Sequence, residues 1–319
     1  MSVSYPLEDG KRYTSLDRFL KRKFGRKTVK LALDGGFSCP NRDGSKGTGG
    51  CTYCSASRAG EFAFPTGDDV REAVEKAKAL VRHKWRDAAF IPYFQSGSAT
   101  YAPLEKLKAL YEAALSCEGV VGLALATRPD CLADGTVDYL ALLAGRTFLS
   151  VELGLQTVYD ETAERINRRH TYADFLEGYE KLAARGIPVC VHLIAGLPGE
   201  TRAMMLESVR RVAALRPFAV KLHLLHVLKG TVCEEQYARG ELAVMEKDDY
   251  VAYVCDALEL LPPDTVIERL TGDGAWKTLV APRWSTDKFG VLNGIDRLLG
   301  ERDSYQGRRF EAAVTYFSH

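Results

Sequence analysis

From residue 29 to residue 225 the chain alternates short apolar runs with stretches of helical period, and few folds accept that order. Strands are expected over 29–33, 88–95, 120–126, 147–153, 187–194 and 218–225. Helical spacing is expected over 68–85, 103–115, 136–144, 160–168 with 172–185, and 201–215, and 247–261 completes a sixth strand–helix unit. Pro103 suits a helix start and Gly186 a helix end. Such alternation means a parallel sheet with helices outside it. Six units are too few for a closed eight-fold barrel. The expected fold is therefore α/β, a partial, open (β/α)6 TIM-like barrel, with a doubly wound sheet as the alternative. In either fold, functional residues belong at the C-terminal ends of strands.

The segments that follow the strands carry the chemistry. After the first strand, Asp34 to Cys54 holds Cys39, Cys51 and Cys54 in the spacing C-x11-C-x2-C among glycines and small polar residues. Thiolates favour iron–sulfur clusters and zinc over hard cations, and a Gly-rich backbone can wrap a compact inorganic centre. Three thiols are one fewer than a closed four-thiolate site needs. Either a distant fourth ligand completes the site, or one metal position is left for a molecule that is not protein. Later strands end in Gln95-Ser-Gly-Ser98, Thr127-Arg-Pro-Asp130, Glu152-Leu-Gly-Leu-Gln156 and Ala195-Gly-Leu-Pro-Gly-Glu200. Glu152 is a charge within an apolar strand, and Lys221 and His223 share one face of the sixth strand. His192 shares a face with Cys190 and Ile194 on the fifth. An interior Lys and His can hold a substrate anion or move a proton, or form a satisfied interior pair. His83 and His170 read as structural.

Hydrophobic residues make up 46% of the 319 and charged residues 27%, as in ordinary globular proteins, and the net charge of +1 dictates no polyanionic partner. No apolar run is long enough to span a membrane and no signal-peptide core opens the chain, so a cytoplasmic protein is expected. The other five cysteines are scattered and read as small buried residues in a reducing compartment. Nine basic residues fall between Lys11 and Lys30 against Asp17 alone. This segment reads either as a solvated face or as a phosphate-contacting patch beside the cysteine loop. Three parts are expected: a basic N-terminal segment (1–28), the partial barrel (29–230), and a C-terminal extension packed on it (231–319).

The three-cysteine loop after a first strand resembles that of the radical S-adenosylmethionine (SAM) enzymes. Its wide first gap is similar to the branch containing the Elongator catalytic subunit. Pro40-Asn-Arg-Asp-Gly44, Tyr93-Phe-Gln95, Thr100-Tyr-Ala-Pro103, Ala126-Thr-Arg-Pro-Asp130, the run from Val151 to Thr157 and the run from His192 to Glu200 resemble the YhcC/YtqA family of that branch. Arg269-Leu-Thr-Gly-Asp273, Pro282-Arg-Trp284 and Lys288 extend the likeness, which covers about residues 10 to 310. One departure is local: Ser96-Gly-Ser-Ala99 stands where the family has a Tyr-Thr-Asn type of stretch.

The resemblance implies a [4Fe–4S] cluster held by Cys39, Cys51 and Cys54, with SAM chelating the iron that lacks a protein ligand. It implies Tyr53 as a shield for the cluster. SAM contacts would come from Gln95, Ser96, Glu152, Gln156, His192 and Gly196, with Gly199 beside the adenine. Lys221 and His223 are the candidate catalytic residues from their shared face of the sixth strand, not from the resemblance. Family members are similar to enzymes converting 5-carboxymethylaminomethyluridine at the tRNA wobble position to 5-aminomethyluridine (MnmL-type activity). Expected partners are thus tRNA and an external one-electron donor such as flavodoxin or ferredoxin. A radical SAM enzyme acting on a small metabolite is the alternative within the class. A non-catalytic zinc or iron–sulfur scaffold is the alternative outside it.

Overall fold

The computed structural model describes residues 10–311 except Ala59, Asp68 and 273–276. The expected helix start at Asp68 and the motif residue Asp273 lie outside the described residues. In chain order, α1 (Leu16–Phe24) precedes β1 (Thr28–Asp34), and the cysteine loop leads to a short β2 (Phe64–Pro65). Then follow α2 (Val70–Arg82), β3 (Ala89–Phe94), α3 (Leu104–Leu115), β4 (Gly122–Thr127), α4 (Asp134–Ala144) and β5 (Phe148–Gln156). The series continues with α5 (Asp160–Arg165), α6 (Tyr172–Ala183), β6 (Val189–Ala195), α7 (Arg202–Ala214) and β7 (Ala219–Leu224). The last third holds β8 (Val227–Leu228), α8 (Val232–Ala238), α9 (Lys247–Leu260), β9 (Val266–Arg269), β10 (Leu279–Ala281) and α10 (Lys288–Glu301).

Eight strands form one curled sheet in the order β2-β1-β3-β4-β5-β6-β7-β9, and every pairing is parallel. From β1 onward the order rises without reversal. A doubly wound sheet needs a reversal point, so the partial barrel is the fold. The sheet's outer face and the helices share one large apolar core that includes Phe94, Tyr111, Leu125, Leu153, Phe175, Val191 and Tyr250. The region after residue 230, expected as an extension, adds β9 to the same sheet beside β7. A sequence pattern without clear period concealed this four-residue strand.

The two ends of the barrel are built differently. At the N-terminal ends of the strands, α1 seals the interior with aromatic rings. Phe19 lies 6.1 Å from Phe148 and 5.0 Å, edge-on, from Phe218, and Phe24 is 6.0 Å from Phe148. Leu20, 2% exposed, packs among Ile91, Tyr93, Ala124 and Phe148. Ser15 caps the helix and Gly25 ends it in the left-handed conformation. The backbone just before α1 also covers the β9 edge, with Ile267 N–H donating to the Thr14 carbonyl at 2.7 Å.

This placement corrects the reading of the basic segment as a phosphate patch beside the cysteine loop. Seven-residue β1 carries the chain about 20 Å from one end of the barrel to the other, so neighbours in sequence are not neighbours in space. Lys21 and Lys27 both pair with Asp17, Lys11 with Asp296 and Arg12 with Asp303. Lys30 points into the barrel.

Candidate active site

The cysteine loop leaves β1 at the open end and is held on two sides. Toward the segment after α5, Thr52 N–H donates to the Ile166 carbonyl at 3.0 Å, and the Asn41 amide donates to the Asn167 carbonyl at 2.5 Å. Asn167 answers by donating to the Gly50 carbonyl at 2.7 Å. Toward the loop after β3, Ser98 N–H donates to the Ser38 carbonyl and Gly97 N–H to the Arg58 carbonyl. Gly97 has φ +70°, and a Cβ there would lie 2.4 Å from the Phe37 carbonyl oxygen. Only glycine allows the two loops to touch at this point.

Within the loop, the Cys39 carbonyl accepts from Arg42 and Asp43 N–H, and Cys54 N–H donates to the Cys51 carbonyl. Arg42 binds the carbonyls of Cys54 and Ser55 at 2.8 and 2.7 Å. The Asn41 amide reaches Cys51 Sγ at 3.7 Å. All three thiols line a single cavity of about 730 Å³, a volume usual for a small-molecule site. Burial pushes the Cys51 thiol up and the Cys54 thiol up to about 11.

At the cavity floor, side chains from four strands meet around Glu152, which is fully buried. Its Oε1 accepts from Lys30 Nζ at 2.7 Å, and its Oε2 accepts from Tyr93 Oη at 2.6 Å and bonds His192 Nε2 at 2.8 Å. Lys221 also donates to Glu152 Oε2. Glu268 of β9 binds Lys30 at 2.5 Å and lies 3.5 Å from Lys221. Burial alone would discharge these groups, but each has opposite charges beside it. Burial raises the Glu152 carboxyl, yet Lys221 and Lys30 hold it well below the usual range. Burial lowers Lys30, yet Glu152 and Glu268 lift it to about 12, and Lys221 is raised for the same reason. His192 and His223 are lowered, chiefly by burial, and stay neutral.

Most of the residues expected from sequence meet in this cavity. Gln95, Glu152, Gln156, His192, Lys221 and His223 line it with the three cysteines. Glu152, expected among the SAM contacts, lines the cavity and has protein partners at both oxygens. Gln156 adopts φ +65°, uncommon for a residue with a side chain, where the β5–β6 register shifts. Three expected residues lie elsewhere: Ser96 is buried and donates to the Ser57 carbonyl, Gly196 N–H faces Met205 Sδ, and Gly199 lies against the Arg165 side chain. None of them is among the described lining residues.

Sequence reasoning gave no site role to Lys30, Glu268 or Arg168, and it named Tyr93, Arg128 and Arg269 only as parts of motifs. Arg128 bonds Asp130 and the Arg168 carbonyl, and Arg168 reaches the carbonyls of Thr157 and His170. Lys30 carried the same signal as Glu152, a lone charge in an apolar strand. Glu268 sits where the β7–β9 register shifts between Ile267 and Arg269. That irregularity brings two consecutive residues to the interior, which alternation forbids.

Comparison with known proteins decides the family. Residues 43–212 match the family described as Radical SAM superfamily, and residues 217–301 match the Radical_SAM C-terminal domain. The chain belongs to the radical SAM superfamily. It is 48% identical over 301 residues to the uncharacterized protein YtqA of Bacillus subtilis, covering 94% of both chains. Within the superfamily it belongs to the Elongator-like YhcC/YtqA family. A tRNA uridine(34) acetyltransferase of Methanocaldococcus jannaschii is 28% identical over 156 residues, 48% of this chain and 28% of that protein. The solved structure of Methanocaldococcus infernus Elp3 shares the fold, with a TM-score of 0.63 at 17% identity, covering 88% of this chain and 64% of that one.

The superfamily's cofactors are a [4Fe–4S] cluster and SAM, and the donor set fits them. Three thiols from one loop face one cavity, beside the Asn41 amide and the Arg42 guanidinium. Among the described residues no three His, Cys, Asp or Glu side chains are grouped to hold one metal ion. Cluster ligands bind separate irons and need not converge on a single point. No described helix is long and apolar enough to cross a membrane.

Proposed function

We propose that this radical SAM enzyme holds its cluster through Cys39, Cys51 and Cys54, binds SAM in the adjoining cavity, and converts 5-carboxymethylaminomethyluridine at the tRNA wobble position to 5-aminomethyluridine. The observation carrying the site assignment is that the three loop thiols form one wall of the cavity whose floor is the Glu152 network. Similarity to the tRNA uridine(34) acetyltransferase and the motif resemblance support the wobble uridine; the basic segment around α1 does not, because it lies at the other end of the barrel. When bound, cluster and SAM supply hydrogen-atom abstraction, with the first electron coming from an external donor.

The chain's own residues supply placement and exclusion. Arg42, Asn41 and Asn167 fix the loop that carries the thiols. Arg128 and Arg168 tie the ends of β4 and β5 to the segment ahead of α6, so the cavity rim keeps its shape. The aromatic plug of α1 keeps water from entering below. Tyr93, His192 and Lys221 are fixed by Glu152, which orients the cavity floor before substrate arrives.

Two experiments test this reading. Anaerobic reconstitution with iron and sulfide should yield a broad visible absorption that is lost in Cys39→Ala, Cys51→Ala and Cys54→Ala. SAM should perturb the EPR signal of the reduced protein. Wobble nucleosides from cells lacking the gene should accumulate the carboxymethylaminomethyl form; an unchanged profile would reject the tRNA substrate.

A further inference from the structure

Two buried polar atoms at the cavity floor have no hydrogen-bond partner, Glu268 Oε1, which faces the floor lysines through its other oxygen, and His223 Nε2. The His223 side chain also lines the cavity. The ring packs 5.2 Å from that of His192. His223 lies two residues beyond Lys221 on the same face of β7, about 7 Å nearer the open end. The shift in β7–β9 register sets Arg269 across from Lys221, and Arg269 lines the same cavity.

An unpartnered buried imidazole is costly unless a ligand completes it. The charges acting on His223 identify that ligand's sign. Apart from burial, the groups that lower its proton affinity are His192, Arg269, Lys221 and His226, all basic. An anion placed beside the ring is attracted by the Arg269 guanidinium and accepts a hydrogen bond from the ring, whereas the Lys221 ammonium is already paired with Glu152. A guanidinium presents its donors in a planar fork that matches a carboxylate. Backbone phosphates of a large substrate remain at the mouth, so a floor site is reached by the end of a substituent on the reacting base.

We propose that His223 and Arg269 form a carboxylate subsite on the cavity floor that binds the terminal carboxylate of the substrate's side chain. The identity of that substrate rests on the wobble-uridine reading; the subsite itself rests on the floor geometry.

The test has one arm for each. Calorimetry on the reconstituted, SAM-saturated protein uses N-methylglycine as the probe and its amide, which keeps the amine and lacks the carboxylate, as the control. The acid should bind about 10-fold more tightly than the amide, and His223→Gln and Arg269→Gln should abolish the difference while Arg269→Lys restores part of it. In the second arm, anticodon stem-loop RNA carries either 5-carboxymethylaminomethyluridine or the corresponding amide. The wild type should favour the carboxylate about 10- to 100-fold in kcat/KM, and Arg269→Gln should bring the ratio near one. Selective binding of N-methylglycine with neither RNA accepted would support the subsite and reject the wobble reading. RNA turnover without preference for the carboxylate would overturn the subsite and keep that reading. No acid–amide difference and no RNA turnover would overturn both.

Discussion

The two ends of this barrel solve opposite problems with the same strands. At the N-terminal end, α1 fills the space with Phe19, Leu20 and Phe24, and its charges are spent on local pairs such as Lys21 and Lys27 with Asp17. Toward the open end, the interior holds two carboxylates and two ammonium groups below a loop of thiols. A seal needs only shape and apolar area, whereas a reactive cavity needs polar groups fixed before the substrate comes. The difference teaches that charge density along a sequence is a poor guide to function until the end of the barrel is known.

The comparison is broken most strongly at its charged side. Glu152→Ala removes a carboxylate that serves Lys30, Lys221, Tyr93 and His192 together. Uncompensated buried charge makes the expected loss about 3–5 kcal/mol in urea unfolding, with Glu152→Gln losing less because the amide oxygen still accepts. A loss under about 1 kcal/mol would mean that Glu268 alone can hold both lysines. At the plug, Leu20→Ala should lower stability by about 2–4 kcal/mol and leave the visible absorption of the reconstituted cluster intact. Loss of that absorption in a folded Leu20→Ala protein would show that the two ends are coupled.

The open end should also be the acid-sensitive one. Burial first, then the cations Arg168 and Arg128, push His170 down to about 2, far below its ordinary value. Its folded form therefore stays neutral while the unfolded chain takes up a proton below about pH 6.5. Stability from this group is complete above that pH and is lost as pH falls, by roughly 2 kcal/mol between pH 6.5 and pH 5. His192 and His223, lowered in the same direction, add to the slope. Urea midpoints at pH 7 and pH 5 should differ less in His170→Gln than in the wild type. Equal differences would mean that His170 takes a proton in the folded protein.

Much of this was legible in the sequence, for reasons that can be located. Period-two alternation brought Glu152, His192, Lys221 and His223 to one interior, and strand order carried the cysteines, Gln95 and Gln156 to one end. Lys30 was legible by the same rule but was counted with the basic run around it. Glu268 and Arg269 were not, because a register shift places both of them inside and their strand has only four residues. The plug was hidden for a different reason. Phe19, Leu20 and Phe24 are interleaved with Arg18, Lys21, Arg22 and Lys23, and only the folded helix separates an apolar face from a charged one.

The smallest expected effect bears on that helix. Lys23 extends over the Phe24 and Phe148 rings at 6.0 and 5.6 Å, so Lys23→Glu should lower stability by only about 0.5–1 kcal/mol. If RNA approaches the open end, the substitution should leave stem-loop affinity within about twofold at physiological salt, where charges more than about 8 Å away are largely screened. A phosphate-contacting lysine would behave differently, weakening binding for every sequence and lowering the salt slope by about one. Filter binding across a salt series separates the two outcomes. A tenfold loss with a reduced slope would bring RNA to the plug end and restore to α1 the role that its basic composition first suggested.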